Sequence, residues 1–345
     1  MAKIFFKLNY QIFVVCRYES LNLKKYCSKI ICANFKEIKT INNFIKENYK
    51  PNLTEILIGS GYSERLSNKL IDFKLINRGN DLNTHNLINS INFFEILEKN
   101  KVRIPKFSFD NPKTKKWLIK NSQSFGGNKV FNFNTKRKLK KFEFFQEKIT
   151  GEHLSVQFFC RNKNLKILSV CNQYFCKKKK PFIIESLIST NIKTIIMRKI
   201  YILCKKIRDL FNLNGLNNLD IILEENSNFI YLIELNGRPG LSTNLVYKLN
   251  PDIFKNSFDL NKSKKSTFFY GTKIIYSNKK ICVSKKNFKF IKSFEKNKTF
   301  SELPIKDEII KKGEPICLIH LKSKKKQILR ENLIKISYKI INKLS

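Results

Sequence analysis

The chain has 345 residues, 42% of them apolar, enough for a large core shared among two or three domains. Lys and Arg number 68 against 27 Asp and Glu, a formal charge of +41. The basic residues are spread along the whole chain among Asn, Ile and Phe, which argues against nucleic-acid binding as the main role and leaves a basic nucleic-acid module as the last alternative. No apolar run approaches the ~20 residues that span a bilayer. Nine cysteines without a C-x-x-C pair argue against a zinc site and read as reduced, mostly buried thiols of a cytoplasmic protein.

Residues 1–20 put a charge before an apolar stretch, but Lys7 interrupts it and no small-residue cleavage site follows. The segment reads as a first strand and not as a leader. Strands over 11–16, 28–34 and 55–58 make a small α/β unit, the last running into Gly59-Ser60-Gly61-Tyr62 and a helix over 63–71. Strand, Gly-x-Gly, helix is where a parallel sheet offers loop amides to a ligand; a plain βα turn accounts for the same residues. A strand-like 73–77 and Arg78-Gly79-Asn80 follow. Residues 85–99 form a helix carrying Leu87, Ile88, Ile91, Phe94, Ile96 and Leu97 at helical spacing, closed off before Pro105.

Residues 116–120 and 129–133 are strands around the loop Asn121-Ser122-Gln123-Ser124-Phe125-Gly126-Gly127-Asn128. Lys120 shares a face with Leu118, so its ammonium leaves a packed strand end beside a glycine pair. A lysine with closely approachable amides neutralises nucleotide phosphates; a hairpin with an end-of-strand lysine is the alternative. Residues 144–159 read as strand, bend at Gly151 and strand, with Leu154, Val156 and Phe158 alternating. Further strands cross 165–189. A helix over 192–212 carries Ile195, Ile196, Ile200, Leu203 and Ile207, and Gly215 caps the way into the next strand.

That strand opens a hairpin, 218–224 and 229–236 about the turn Glu225-Asn226-Ser227-Asn228. Alternation places Leu219, Ile221, Leu223, Phe229, Tyr231, Ile233 and Leu235 on the core face. A hairpin centred on Ser227 sets Asp220 opposite Glu234, two carboxylates roughly 5 Å apart, which repel unless a cation lies between them. Asp220, Glu234 and Asn236 are hard oxygen donors suited to magnesium, which shares its shell with nucleotide phosphates; acids facing water are the alternative. A helix over 241–249, capped by Ser242 or Thr243, follows. Past a lysine-rich linker at 261–266 come strands over 268–276, 280–283 and 318–321 and an amphipathic helix over 328–344.

Asp220 followed by Glu234-Leu235-Asn236-Gly237-Arg238-Pro239 resembles the metal-binding end of ATP-grasp ligases, with Gly237 where many members carry proline. The turn GSGYSERLSNKL and the tail KKGEPICLIH are similar to the subgroup of predicted carboligases related to biotin carboxylase, so the resemblance covers nearly the whole chain. It implies an α/β (α+β) ATP-grasp fold: an amino-terminal Rossmann-like domain (1–85), an ATP-grasp domain (86–255, lid about 103–148) and a small β-rich carboxy-terminal tail with a terminal helix (256–345). It also implies that Lys120, Gly126 and Gly127 hold the phosphates. Backbone groups of Gln146, Glu147 and Ile149 read adenine, and Glu152 or His153 reaches the ribose. Arg238 and Lys120 stabilise a phosphorylated intermediate, and Ser63 and Glu64 lie near the acceptor. The chain departs from the family in having no lysine between His85 and Glu98. The expected activity is a ligase using ATP and Mg2+, with Mn2+ as a substitute, on a small-molecule carboxylate and an amine. An ATP-binding protein without turnover is the alternative, and oligomeric state is left open.

Overall fold

A computed structural model describes residues 1–345 except 35, 52, 67–68, 71–75, 78, 113, 115, 125, 135–136, 177–181, 226, 250–265, 297–298 and 345. Arg78, the start of the 73–77 strand, part of the 63–71 helix, Phe125, Asn226 and most of the lysine-rich linker lie outside the described residues.

In chain order the helices are α1 (Ala2–Phe6), α2 (Ile38–Asn48), α3 (Tyr62–Leu66), α4 (Leu82–Ile88), α5 (Asn92–Lys99), α6 (Thr194–Phe211), α7 (Thr243–Leu249), α8 (Lys285–Lys292) and α9 (Lys326–Leu344). The strands are β1 (Phe13–Cys16), β2 (Lys29–Cys32), β3 (Glu55–Ile56), β4 (Ile76–Asn77), β5 (Phe107–Ser108), β6 (Trp117–Asn121), β7 (Phe131–Asn132), β8 (Glu143–Glu147) and β9 (Gly151–Arg161). They continue with β10 (Asn164–Phe175), β11 (Ile184–Ser189), β12 (Gly215–Glu224), β13 (Ile230–Asn236), β14 (Phe269–Tyr276), β15 (Ile281–Cys282), β16 (Phe300–Ser301), β17 (Ile309–Ile310) and β18 (Pro315–Ser323).

The chain divides into two compact units. One comprises Lys50–Ile184 and Thr190–Thr243. Its backbone is the antiparallel run β13-β12-β9-β10. Phe93 and Leu97 of α5 and Ile200 and Ile207 of α6 form one core with Val156, Phe158 and Leu219. Side chains of this size each contribute about 1.5–3 kcal/mol on full burial, which makes this the stable platform of the unit. A second antiparallel sheet, β5-β8-β6-β7, pairs Leu118 with Gln146 and Lys120 with Phe144.

The other unit comprises Met1–Tyr49, Glu185–Ser189 and Asn244–Ser345. It contains the parallel pair β1-β2, the run β11-β14-β18-β16 and α9, which packs on β14 and β18. Gly271 permits that approach: a Cβ there would lie 2.8 Å from Leu333 Cδ1.

Several expectations are corrected. Residues 2–6 are a helix and not a strand, with the Ile4 N–H bonded to the Met1 carbonyl. An apolar run this short carries no decisive periodicity, and a helix satisfies its amides without a neighbouring strand. The helix expected over 85–99 is two. Asp81 caps α4 through the Thr84 N–H, and Asn89 Nδ2 donates to the His85 carbonyl at 2.7 Å and ends it. The left-handed residue after α6 is Asn212, at φ +48°, while Gly215 at +66° begins β12 itself. Four cysteines of the nine are buried, fewer than expected, and Cys32 and Cys282 are exposed.

The hairpin holds the most informative correction. Asn218↔Asn236, Leu219↔Leu235 and Asp220↔Glu234 pair as the turn-centred register requires, but Ile221 then pairs with Leu232. Ile233 is the extra residue of a β-bulge, so the phase of β13 reverses there. Leu232 is fully buried and Ile230 packs on the core, whereas Phe229 is 42% exposed under the Arg103 guanidinium, 3.6 Å from its ring centroid.

Candidate active site

The site lies on the polar face of β9, β10, β12 and β13, all within the unit built on Lys50–Ile184 and Thr190–Thr243. Asp220 and Glu234 are direct cross-strand partners, with side chains on one face of the sheet. Burial and then the Asp220 charge push the Glu234 carboxyl up to about 7, while Lys120 and Arg238 pull it down. Burial also raises Asp220, against a hydrogen bond from Asn218. Asn218 Nδ2 and Gln173 Nε2 donate to Asp220 Oδ1 at 2.9 and 2.8 Å, and Ser155 Oγ donates to Asn218 Oδ1 at 2.8 Å. Two carboxylates held together out of water, one with its proton retained to near neutrality, form a donor set that a divalent cation would relieve. Asn236 Nδ2 faces Asp220 Oδ2 at 3.5 Å, and its Oδ1 accepts from Arg238 at 2.6 Å. Presenting that oxygen to a cation requires the amide to turn over.

Lys120 emerges from the end of β6 and donates to Gln146 Oε1 at 3.1 Å. Desolvation lowers its ammonium, and the nearby charges of Glu234 and Asp220 raise it. Lys120 in turn depresses His153, second to burial, and the His153 ring meets Phe175 edge-on at 4.9 Å. The predicted ribose histidine and the acid pair thus each lie within electrostatic reach of the predicted phosphate lysine. Gln146 is 2% exposed and its Nε2 has no partner among the described residues. A buried orphan donor beside Lys120 fits an acceptor-rich ligand such as a nucleotide.

Gly126 and Gly127 have φ of +63° and +77°, and a Cβ on Gly127 would stand 1.8 Å from the Phe182 carbonyl oxygen. This loop rests backbone to backbone on residue 182, an approach only glycine permits. The Glu147 N–H is engaged by the Lys106 carbonyl and the Lys148 N–H by the Lys116 carbonyl, so two amides of the expected adenine strip already serve the sheet. Ile149, half-buried, follows them, and the exposed Glu152 accepts from Asn172.

Arg238 is buried and committed. Its Nε donates to Glu64 Oε1 at 2.8 Å, and Glu64 Oε2 accepts the Gly61 N–H at 2.6 Å. Glu64 and Ser63 lie at the Gly-Ser-Gly turn, and Ser63 Oγ meets His85 Nδ1 at 2.7 Å. Burial lowers His85 to about 4. Asn80 donates to the Gly237 carbonyl and to Asn217 Oδ1, tying the Gly-Asn pair to the hairpin. The same crowding explains glycine at 237, where a Cβ would lie 2.8 Å from Asn80 and from Ile88. Ser242 Oγ donates to Gln157 Oε1, and Gln157 Nε2 donates to Thr243 Oγ1. Sequence reasoning missed Asn218 and Gln173. Asn218 was within reach, two residues from Asp220 on the same face, but Gln173 comes from a strand only the fold places there.

Residues 89–242 match the family described as ATP-grasp domain. Among curated proteins no match is found. Among solved structures, N5-carboxyaminoimidazole ribonucleotide synthetase from Thermotoga maritima superposes with a TM-score of 0.68 at 12% identity, over 98% of this chain and 94% of that one. L-amino acid ligase from Bacillus licheniformis gives 0.72 at 11%, over 97% and 93%. Biotin carboxylase from Campylobacter jejuni gives 0.70 at 12%, over 98% and 87%. At these identities the likeness is one of fold.

Proposed function

We propose, from the premise that this chain belongs to the ATP-grasp superfamily, that it is a ligase using Mg-ATP to convert a carboxylate into an acyl phosphate for attack by an amine or similar nucleophile, with release of ADP and phosphate. The observation that carries the reading is the Asp220–Glu234 cross-strand pair within electrostatic reach of Lys120. Asp220, Glu234 and, with its amide turned, Asn236 would hold the cation, which when bound neutralises phosphate oxygens. Lys120 supplies an ammonium beside the acid pair and Gln146 Nε2 a donor for the nucleotide. The Gly126-Gly127 amides cover the phosphates, and Gln146, Glu147, Ile149, Glu152 and His153 line the nucleoside end. Arg238, oriented by Glu64, supports the transferring phosphoryl group. Phosphoryl transfer asks chiefly for such positioned charges and donors, and no covalent nucleophile is required. The division into 1–85, 86–255 and 256–345 belongs to the same proposal.

A screen of carboxylate and amine pools for ADP release tests it. Wild type is expected to release ADP with one acid and amine pair, and Glu234→Ala, folded by circular dichroism, to release none. Full activity of the folded variant refutes the metal role.

A second reading, nucleotide binding without turnover, is favoured by the engagement of Arg238 with Glu64 and Asn236 and by the absence of lysine over 86–97. Stabilisation by Mg-ATP with no ADP release from any pair would select it.

A further inference from the structure

Strands β1 and β2 run parallel, and their last paired residues are Cys16 and Cys32. Partners in register put their side chains on the same face, and adjacent strands stand about 4.7–4.9 Å apart, inside the Cα separation of about 4.4–6.8 Å that a disulfide spans. The two Sγ atoms are 4.0 Å apart. Cys32 is exposed and Cys16 half-buried, so one thiol is open to a reagent while the other waits beside it. Burial, and then Cys32, push the Cys16 thiol up to about 12, which makes it a poor first nucleophile. Of the remaining cysteines Cys160, Cys171, Cys204 and Cys317 are buried, Cys27 and Cys176 are half-buried and Cys282 is exposed.

We propose that Cys16 and Cys32 form a thiol pair that closes to a reversible disulfide when the chain meets a small-molecule disulfide oxidant. The Cys32 thiolate attacks one sulfur of the oxidant, whose S–S bond breaks; the other half leaves as a thiolate and takes up a proton. Cys16 then loses its proton and attacks the Cys32 sulfur of the mixed disulfide, expelling the second half as a thiol. Two S–H bonds are lost and one S–S bond is formed. The two electrons reside on the oxidant, now two thiols. The bond joins β1 to β2 at the carboxy-terminal ends of both strands. It uses none of the residues assigned to the nucleotide, so its test is independent of the ligase reading.

The full chain is equilibrated in buffers of graded reduced and oxidised glutathione, quenched by alkylation, digested and mapped by mass spectrometry. The expected result is a linked pair of peptides containing Cys16 and Cys32, accumulating at a more reducing ratio than any other linkage and reversed by dithiothreitol. Cys16→Ser is expected to leave Cys32 as a glutathione adduct, which shows the order of attack. Alkylation of both thiols at every ratio overturns the proposal, as does linkage of Cys32 to Cys27.

Discussion

Replacing Glu234 by glutamine should make the protein more stable and functionally empty. Its carboxyl has a folded-state pKa of about 7 against an ordinary 4.5, because burial and the Asp220 charge disfavour ionisation. A raised pKa stabilises the fold fully below pH 4.5, and that contribution is lost as pH climbs through 7. At about 1.4 kcal/mol per pH unit of displacement the loss is about 3 kcal/mol, an upper value because Glu234 keeps some access to water. Glutamine is isosteric, carries no charge and can donate to Asp220. Without magnesium at pH 8, Glu234→Gln should therefore recover about 2–3 kcal/mol, a rise in Tm of about 4–12 °C for a cooperative unit of this size. At pH 5 the two proteins should melt nearly together. Adding Mg-ATP at pH 8 should reverse the order, since wild type gains by mass action what the variant cannot. Differential scanning fluorimetry at the two pH values, with and without Mg-ATP, reads all four conditions. Equal melting temperatures at pH 8 without metal, or an undiminished Mg-ATP response in the variant, would refute the reasoning.

Glu64→Ala strips the buried Arg238 of its carboxylate partner and should cost about 3–5 kcal/mol in urea unfolding, with Glu64→Gln costing less; a loss below ~1 kcal/mol would show the pair to be solvated. Gly127→Ala forces a Cβ against the Phe182 carbonyl at a left-handed φ, whereas Gly126→Ala meets only the left-handed strain. Calorimetric titration with Mg-ATP should show weaker binding for the first and a smaller change for the second; wild-type affinity for Gly127→Ala would detach the loop from the nucleotide. His85, neutral and buried, has a pKa lowered to about 4, so its contribution is intact above 6.5 and is lost as pH falls toward 4, about 3 kcal/mol in all. His85→Gln should flatten the acid limb of a stability profile; an unchanged limb would assign acid unfolding to other groups.

Legibility varied with the range of the interactions. The acid pair was readable because an antiparallel hairpin converts sequence distance from its turn into spatial pairing, and the three pairs nearest the metal end kept that arithmetic. Beyond them the Ile233 bulge reversed the phase, since one extra residue moves every following side chain to the other face. The engagement of Arg238 by Glu64 could not be read, because those residues are 174 positions apart and their meeting depends on how a βα turn lands against a hairpin.

Composition, alternation and turn chemistry by themselves determined an α/β chain with a strand-borne lysine, a glycine loop and two opposed acids, because each of these depends on neighbours a few residues away. Only the tertiary structure decided that the buried Gln146 Nε2 is left without a partner among the described residues, that Gln173 and Asn218 hold Asp220, and that Cys16 faces Cys32. Those facts come from strands paired across long stretches of chain, where packing and burial, and not local preference, set which groups meet.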